Sequence, residues 1–201
     1  MAKETELKFE INNYSELVSK LLKLSKLSSS AYEITVMYDE NKKLFDKDAR
    51  LRLRRKIDLA TNKEETEISY KKPLTREGIK IEEEYETCVS NFEEMENIIT
   101  NIGFARVSSY ERIRDTFKKG TTKITIDSFP FGNYLEIEGD ISEIQHLANE
   151  LNFDMKKNIT KSCDDIYAEI CVAEGLNVSD HILFKTKKEL EKEKEKRRIL
   201  I

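Results

Sequence analysis

Residues 50–57 read Arg-Leu-Arg-Leu-Arg-Arg-Lys-Ile. Successive side chains of a β-strand point to opposite faces. This stretch therefore sets Leu51 and Leu53 on one face and Arg50, Arg52 and Arg54 on the other. The same period of two runs through the first 140 residues and predicts eight strands, at 5–11, 32–39, 50–57, 67–72, 80–89, 107–117, 121–127 and 133–138. Leu7, Phe9 and Ile11 oppose Glu4, Glu6, Lys8 and Glu10; Ile81 and Tyr85 oppose Glu82, Glu84 and Glu86. Ile113 and Phe117 oppose Arg112 and Arg114, Ile124 and Ile126 oppose Lys123, Thr125 and Asp127, and Leu135 and Ile137 oppose Glu136 and Glu138.

A sheet with one wet face also alternates, so alternation alone does not define a site. The sorting by sign does more. Like charges ~7 Å apart on one strand face repel by roughly 0.6 kcal/mol in water and about 2.4 kcal/mol at an effective dielectric near 20. A merely solvated face would mix signs, whereas this chain stacks acids on some strands and bases on others. Carboxylate clusters hold hard divalent cations, and Arg and Lys clusters hold phosphate oxygens. A metal-bound polyphosphate satisfies both. Eight antiparallel strands can close into a barrel without edges; its charged lumen must then be wet and internally compensated.

Helical stretches are predicted at 15–27 and 91–102, the second opened by Ser90-x-x-Glu93 and closed at Gly103. Lys119-Gly120 marks a tight hairpin. After Gly139 the period turns helical, at 142–151 (opened by Ser142-x-x-Gln145) and at 160–174 before Gly175. The last stretch, 185–198, carries eight Lys or Arg and four Glu, a net +4 that leaves −8 elsewhere. It reads as a solvated helix supported by i,i+4 pairs, with contact to a partner or anionic surface, helped by residues 199–201, as the alternative. The organisation predicted is one α+β domain over 1–178, an eight-stranded antiparallel barrel with helices packed outside, and a charged helical tail over 179–201.

The 201 residues are 38% hydrophobic and 37% charged, and 35 basic against 39 acidic side chains give −4. That balance argues against a generic nucleic-acid binder. Cys88, Cys163 and Cys171 show no CxxC spacing, and His146 and His181 stand far apart, which argues against a disulfide framework, a thiolate zinc site or a histidine triad. The cysteines read as buried or free thiols and the histidines as surface residues. No apolar run reaches the ~18 residues of a membrane span, and the start lacks a signal-peptide core. The expectation is a cytoplasmic protein that does not engage a membrane.

Glu4-Thr5-Glu6-Leu7-Lys8 matches the ExExK motif of the CYTH, or triphosphate tunnel metalloenzyme, superfamily. Tyr38-Asp39, Leu51-Arg52-Leu53-Arg54, Ser69-Tyr70-Lys71, Glu84-Tyr85-Glu86, Tyr110-Glu111-Arg112-Ile113-Arg114, Asp127 and Gly132-Asn133-Tyr134-Leu135-Glu136-Ile137-Glu138 resemble its later strands in order. Lys161-Ser162 matches a later helical lysine. The resemblance spans about residues 3–170. It implies an eight-stranded tunnel that binds a triphosphate with Mg²⁺ or Mn²⁺. Glu4, Glu6, Asp127, Glu136 and Glu138 would serve the metal. Lys8, Arg52, Arg54, Lys71, Arg112, Arg114 and Lys161 would grip phosphate. Glu84 and Glu86 stay open between a second metal and ordering the arginines. Glu4, Glu6 and Lys8 would form the catalytic core, with Glu6 and Glu84 the candidates for a general base. Arg50, Lys123, Glu10 and Glu82 read as rim charges.

Two departures stand out. Cys163 replaces an aromatic that often follows the lysine–serine pair. The chain also begins too close to ExExK to carry the His-Phe pair common in class IV adenylyl cyclases, which favours hydrolysis. The expected activity is release of phosphate from tripolyphosphate, thiamine triphosphate or a nucleoside triphosphate. Conversion of ATP to cyclic AMP and pyrophosphate is the alternative, and a non-catalytic polyphosphate- or nucleotide-binding module a third. The expected partner is a small triphosphate, with an RNA 5′ triphosphate end as the one nucleic-acid exception.

Overall fold

The computed structural model describes residues 2–75 and 77–197. Strands β1 (Ala2–Glu10), β2 (Lys26–Asp39), β3 (Arg50–Asp58), β4 (Glu64–Thr75), β5 (Lys80–Val89), β6 (Ala105–Lys119), β7 (Thr122–Phe129) and β8 (Gly132–Glu138) form one antiparallel sheet in the order β2-β3-β4-β5-β1-β8-β7-β6. Pairing of β2 with β6 closes it into a barrel. Helices α1 (Tyr14–Leu24), α2 (Phe92–Asn101), α3 (Ile141–Glu150), α4 (Cys163–Glu174) and α5 (Lys187–Glu195) pack outside, and a two-residue strand β9 (His181–Ile182) runs parallel to β6. The fold is α+β, as its alternation requires. None of the helices among the described residues is long and apolar enough to cross a membrane.

The apolar faces of the strands point outward and the helices cover them. Leu7, Phe9, Ile124, Ile126, Leu135 and Ile137 pack with Leu17 and Leu21 of α1 and Ile144 and Leu147 of α3. Val36, Tyr38 and Leu53 pack with Phe92 and Ile99 of α2. Tyr110, Phe129 and Tyr134 instead share the inward parity of Arg112, Asp127 and Glu136, and with Ile166 of α4 they form an apolar cluster at one end of the lumen. Each fully buried Leu or Ile here contributes about 1.5–3 kcal/mol, so most of the hydrophobic stabilisation lies outside the barrel wall and the rest of the lumen is free to be polar.

Local boundaries follow side-chain caps. The β6–β7 hairpin pairs Lys119 with Thr122 around Gly120, whose φ of +59° suits a residue without Cβ. Helix α1 stops at Leu24, three residues short of the expected end, because Ser25 is already extended and the serine run 28–30 enters β2. Asn91, not Ser90, caps α2 by accepting from the Glu94 amide. Asp140 caps α3 by accepting from Ser142 N, ahead of the expected Ser142. Helix α4 starts after Thr160, where Ser162 and Asp165 form a capping box.

The charged stretch is more than a solvated helix. Arg197 is fully buried. Its guanidinium reaches Asp115 Oδ2 at 3.1 Å, Ser128 Oγ at 2.5 Å and Glu193 Oε2 at 2.9 Å, and lies 4.4 Å from the Tyr14 ring. Asp115 also accepts from the hydroxyls of Tyr14 and Ser30. Residues 198–201 lie outside the described residues.

Candidate active site

Barrel closure turns the charged faces inward. Glu4, Glu6 and Lys8 come from β1, Glu33 from β2, Arg50, Arg52 and Arg54 from β3, Lys71 from β4, Glu82, Glu84 and Glu86 from β5, Arg112 and Arg114 from β6, Lys123 from β7, and Glu136 and Glu138 from β8; all of these line the tunnel. The lumen has two parts. A wide chamber of about 500 Å³ opens beside the β3–β4 hairpin, where Asp58, Thr61, Lys63 and Glu65 line it. A narrow chamber of about 70 Å³ lies toward the other end, walled by Lys8, Arg50, Lys80, Glu82, Arg112, Phe129 and the first residues of α4, Ser162, Cys163 and Asp164. Glu4, Arg52, Lys71 and Arg114 face both chambers and mark the waist.

Registers place the four outer members of the acid set side by side. Glu6 pairs with Glu138 and Lys8 with Glu136 across β1 and β8. Each carboxylate is turned to a base. Glu4 meets Lys71; Glu6 Oε1 lies 2.9 Å from Lys80 Nζ; Glu136 lies 3.2 Å from Lys8 Nζ and 2.6 Å from Arg114 Nη2; and Glu138 lies 2.8 Å from Lys123 Nζ. Burial works against ionising Glu4, but the Lys71 ammonium overcomes it and holds the carboxyl well below its ordinary range. Glu136 behaves alike: burial opposes its charge, and Lys8 and Arg114 prevail. At Glu138 burial and the Glu4 charge win over Lys123, and its pKa is raised.

Asp127 on β7 is fully buried and accepts from Arg112 Nη1 at 2.9 Å and from Arg114 Nε and Nη2 at 2.5 Å. It therefore orders the two arginines. Glu33, absent from the sequence expectations, does the same from β2: its carboxylate takes Arg112 Nε at 2.8 Å and stands 3.5 Å from Arg54 Nε. Arg54 also donates to Thr35 and Tyr110, and Arg52 Nε to Ser69 at 2.6 Å. Arg112 Nη2 is buried as well, 2.6 Å from Glu33 Oε2, so both sides of this guanidinium are held by carboxylates.

Three expectations change in detail. Arg50 and Glu82 lie inside the narrow chamber rather than at the rim, because the stagger of the closed sheet brings β3 and β5 together there, and they form an ion pair. Lys123 lies within the wide chamber. Lys161 is the residue the fold does not bring in. Its ammonium stands outside the barrel on Glu169 Oε1, 2.5 Å away, and only its carbonyl reaches the site, accepting from Lys8 Nζ at 3.1 Å. The reason is local: capping by Ser162 begins α4 at Cys163, three residues later than expected, and leaves the lysine before the helix on the outer groove. The missed Glu33, and Glu67 of β4, which is buried 3.8 Å from Arg54 Nη1, could have been found by the same parity rule, since Tyr32, Ile34, Val36 and Tyr38 alternate with Glu33 and Thr35, and Ile68 and Tyr70 with Glu67 and Ser69.

Carboxylate oxygens are the donors that Mg²⁺ or Mn²⁺ takes, and Glu4, Glu6, Glu136 and Glu138 sit on neighbouring strands facing one lumen. The donor chemistry fits such an ion. Among the described residues, however, no three carboxylates are gathered closely enough to hold one, because each is engaged by Lys or Arg.

Known proteins share this fold. The CYTH domain model matches residues 2–163. A protein of Methanocaldococcus jannaschii, provisionally named adenylate cyclase MJ0240, is 29% identical over 144 residues, 70% of this chain and 79% of that relative. The PH1819 protein of Pyrococcus horikoshii shares the fold with a TM-score of 0.69 at 22% identity, over 85% of this chain and 99% of that one. HpAC1 from Hippeastrum, provisionally named an adenylyl cyclase and described as revealing a dominant triphosphatase activity, aligns with a TM-score of 0.55 at 15% identity, over 88% of this chain and 98% of its own. With most of its length matched and its charged strand faces closed into one tunnel, this chain belongs to the CYTH domain family.

Proposed function

We propose that the protein is a divalent-metal-dependent triphosphatase that releases the terminal phosphate of a small triphosphate. The observation that carries this reading is the convergence of Lys8, Arg52, Arg54, Lys71, Arg112 and Arg114 with Glu4, Glu6, Glu136 and Glu138 in one lumen. The six bases hold the phosphate chain extended and neutralise it; Arg52, Arg54, Arg112 and Arg114 offer planar forks suited to phosphoryl oxygens. Asp127 and Glu33 fix the arginine planes, so little reorganisation remains when charge shifts to the leaving oxygen. Glu4, Glu6, Glu136 and Glu138 would hold Mg²⁺ or Mn²⁺. When bound, the ion supplies charge neutralisation and polarises the attacking water. Glu84 and Glu86 take the ordering role for Arg52, which lies 3.5 Å from Glu84 and 4.0 Å from Glu86. Water oxygen bonds to the terminal phosphorus, the bridging P–O bond breaks, and tripolyphosphate yields orthophosphate and pyrophosphate.

Among substrates, inorganic tripolyphosphate fits best. The described residues lining the wide chamber include no aromatic ring, and Ala31 is their one apolar member. A purine or thiamine ring would find no stacking surface there. Cyclic AMP formation is the second reading, favoured by the name of the M. jannaschii relative.

The test incubates the full chain with tripolyphosphate, thiamine triphosphate, ATP or a 5′-triphosphorylated RNA, with Mg²⁺ or Mn²⁺, and scores orthophosphate, pyrophosphate and cyclic AMP separately. Orthophosphate from tripolyphosphate, lost in a Glu4→Gln/Glu6→Gln variant, is the expected result. Cyclic AMP with pyrophosphate from ATP would replace it with the second reading, and binding of tripolyphosphate without turnover would leave a binding module.

A further inference from the structure

Of the tunnel lysines outside the phosphate-gripping set, Lys80 and Lys123 sit on carboxylates of the metal side. Lys80 is 5% exposed, with Nζ 2.9 Å from Glu6 Oε1 and 2.6 Å from Glu82 Oε2. Lys123 Nζ lies 2.8 Å from Glu138 Oε2. Glu4 and Glu136 are likewise engaged, by Lys71 and by Lys8 with Arg114.

We infer that Lys80 and Lys123 are resident counter-ions that hold Glu6 and Glu138 until a divalent cation displaces them, and that this exchange couples metal and triphosphate binding. The inference rests on the metal-dependent triphosphatase reading. A divalent ion needs the oxygens that the ammonium groups occupy. The Lys80 ammonium, displaced within a buried wall, is an uncompensated charge, costly until it finds another anion; at half-exposed Lys123 the cost is smaller. Triphosphate oxygens provide that anion and, in turn, need the bases that the carboxylates hold. Each ligand alone must break ion pairs it cannot replace; the two together replace them all. Linkage makes the effect reciprocal. The metal and the triphosphate therefore each bind weakly alone and strengthen one another, which excludes idle occupation of the tunnel by free phosphate or free metal.

The test measures binding, not turnover. Mn²⁺ affinity is read by the loss of the free-ion resonance in paramagnetic spectra, alone and with the non-hydrolysable imidotriphosphate, and tripolyphosphate affinity is read calorimetrically in EDTA. For the parent, imidotriphosphate should tighten Mn²⁺ by on the order of tenfold or more, within the usual span of coupling. Lys80→Met should bind Mn²⁺ alone on the order of tenfold tighter and Lys123→Met about threefold tighter, since its pair is more exposed, both with smaller coupling. Lys123→Met is the safer variant, since its side chain is 41% exposed and thermal melting verifies its fold. Unchanged Mn²⁺ affinity in both variants, with weaker tripolyphosphate binding, would overturn the inference and make the lysines ordinary phosphate ligands; so would tight Mn²⁺ binding by the parent alone. If Mn²⁺ tightens in the variants while tripolyphosphate is neither bound nor cleaved by the parent, the counter-ion role stands and the triphosphatase reading fails.

Discussion

Truncating Arg197 to alanine should destabilise the barrel far more than a substitution near the end of a charged helix ordinarily does. The side chain is fully buried, and Asp115, on the outward face of β6, is fully buried beneath it. Removing one member of such a pair costs about 3–5 kcal/mol, because the other charge is left uncompensated. Asp115 would keep two hydroxyl donors, Tyr14 at 2.9 Å and Ser30 at 2.5 Å, which sets the electrostatic loss near the low end, about 3 kcal/mol. Loss of the guanidinium from the Tyr14 face adds roughly 0.5–2 kcal/mol. For a chain of this length each kcal/mol shifts the melting midpoint by about 2–4 °C, so a fall of roughly 10 °C follows. Urea unfolding of the parent, Arg197→Ala, Asp115→Asn and the double variant completes the cycle. The double variant should cost at least about 1 kcal/mol less than the sum of the singles, as residues in contact do. An Arg197→Ala loss under about 1 kcal/mol, the level of an exposed pair, or strict additivity would refute the claim that the tail is built into the barrel.

The pH dependence of triphosphate binding should follow Glu86, whose carboxyl is pushed up to about 7 by burial, by its hydrogen bond with Glu67 and by the charges of Glu67 and Glu84. As pH climbs past 7 the wide chamber gains a negative charge, so tripolyphosphate affinity measured in EDTA should fall, and Glu86→Gln should flatten that slope. The same raised value means the folded chain keeps a proton that the unfolded chain releases near 4.5, so stability declines as pH rises from 4.5 toward 7; guanidinium midpoints across that window check the sign. Lys161→Ala should leave kcat/KM for tripolyphosphate within about threefold of the parent, since its ammonium pairs with Glu169 outside the barrel and an exposed pair is worth ~1 kcal/mol or less; a hundredfold loss would put the lysine in the tunnel. A thiol-reactive chromophore should label Cys88, which is exposed, rapidly, half-buried Cys163 on the narrow chamber slowly, and buried Cys171 only in denaturant. Burial and the Asp164 carboxylate push the Cys163 thiol up to about 12, so it stays protonated at neutral pH.

The barrel was legible because its inward and outward faces differ in kind at nearly every step of β1, β3, β5, β6, β7 and β8, and a period of two admits one register. Strands β2 and β4 were harder to sort. Their lumen side mixes Glu33 with Thr35 and Met37, and Glu67 with Ser69, so the sign sorting that marked the other strands is diluted. Asp115 was unreadable for another reason: it sits among Ile113 and Phe117 on the apolar face, and its partner lies 82 residues away. No local pattern announces an ion pair that forms only when a distant helix docks. Lys161 shows the limit of a motif match. Its place in the chain agrees with the family pattern, but the direction of its side chain is set by where α4 is capped, and two hydroxyl residues, Thr160 and Ser162, were both able to start that helix.

A barrel with its ions inside has an energetic consequence for how the site works. Buried ion pairs such as Glu33–Arg112 and Asp127–Arg114 stabilise little or nothing relative to apolar residues of similar volume, so the lumen adds little to folding. Stability must come from the helix-covered outer faces and from devices such as the Arg197–Asp115 clamp. That clamp is set on β6 and β7 directly behind Arg114 and Asp127, the neighbours of Asp115 and Ser128 in sequence, so the strands with the most ion-dense inner wall are those the tail fastens from outside. A lumen already satisfied by its own charges does not need a ligand to remain folded. Selectivity then follows from the exchange: a monovalent anion or a lone cation can relieve one side of an ion pair, whereas a metal-bound polyphosphate relieves both.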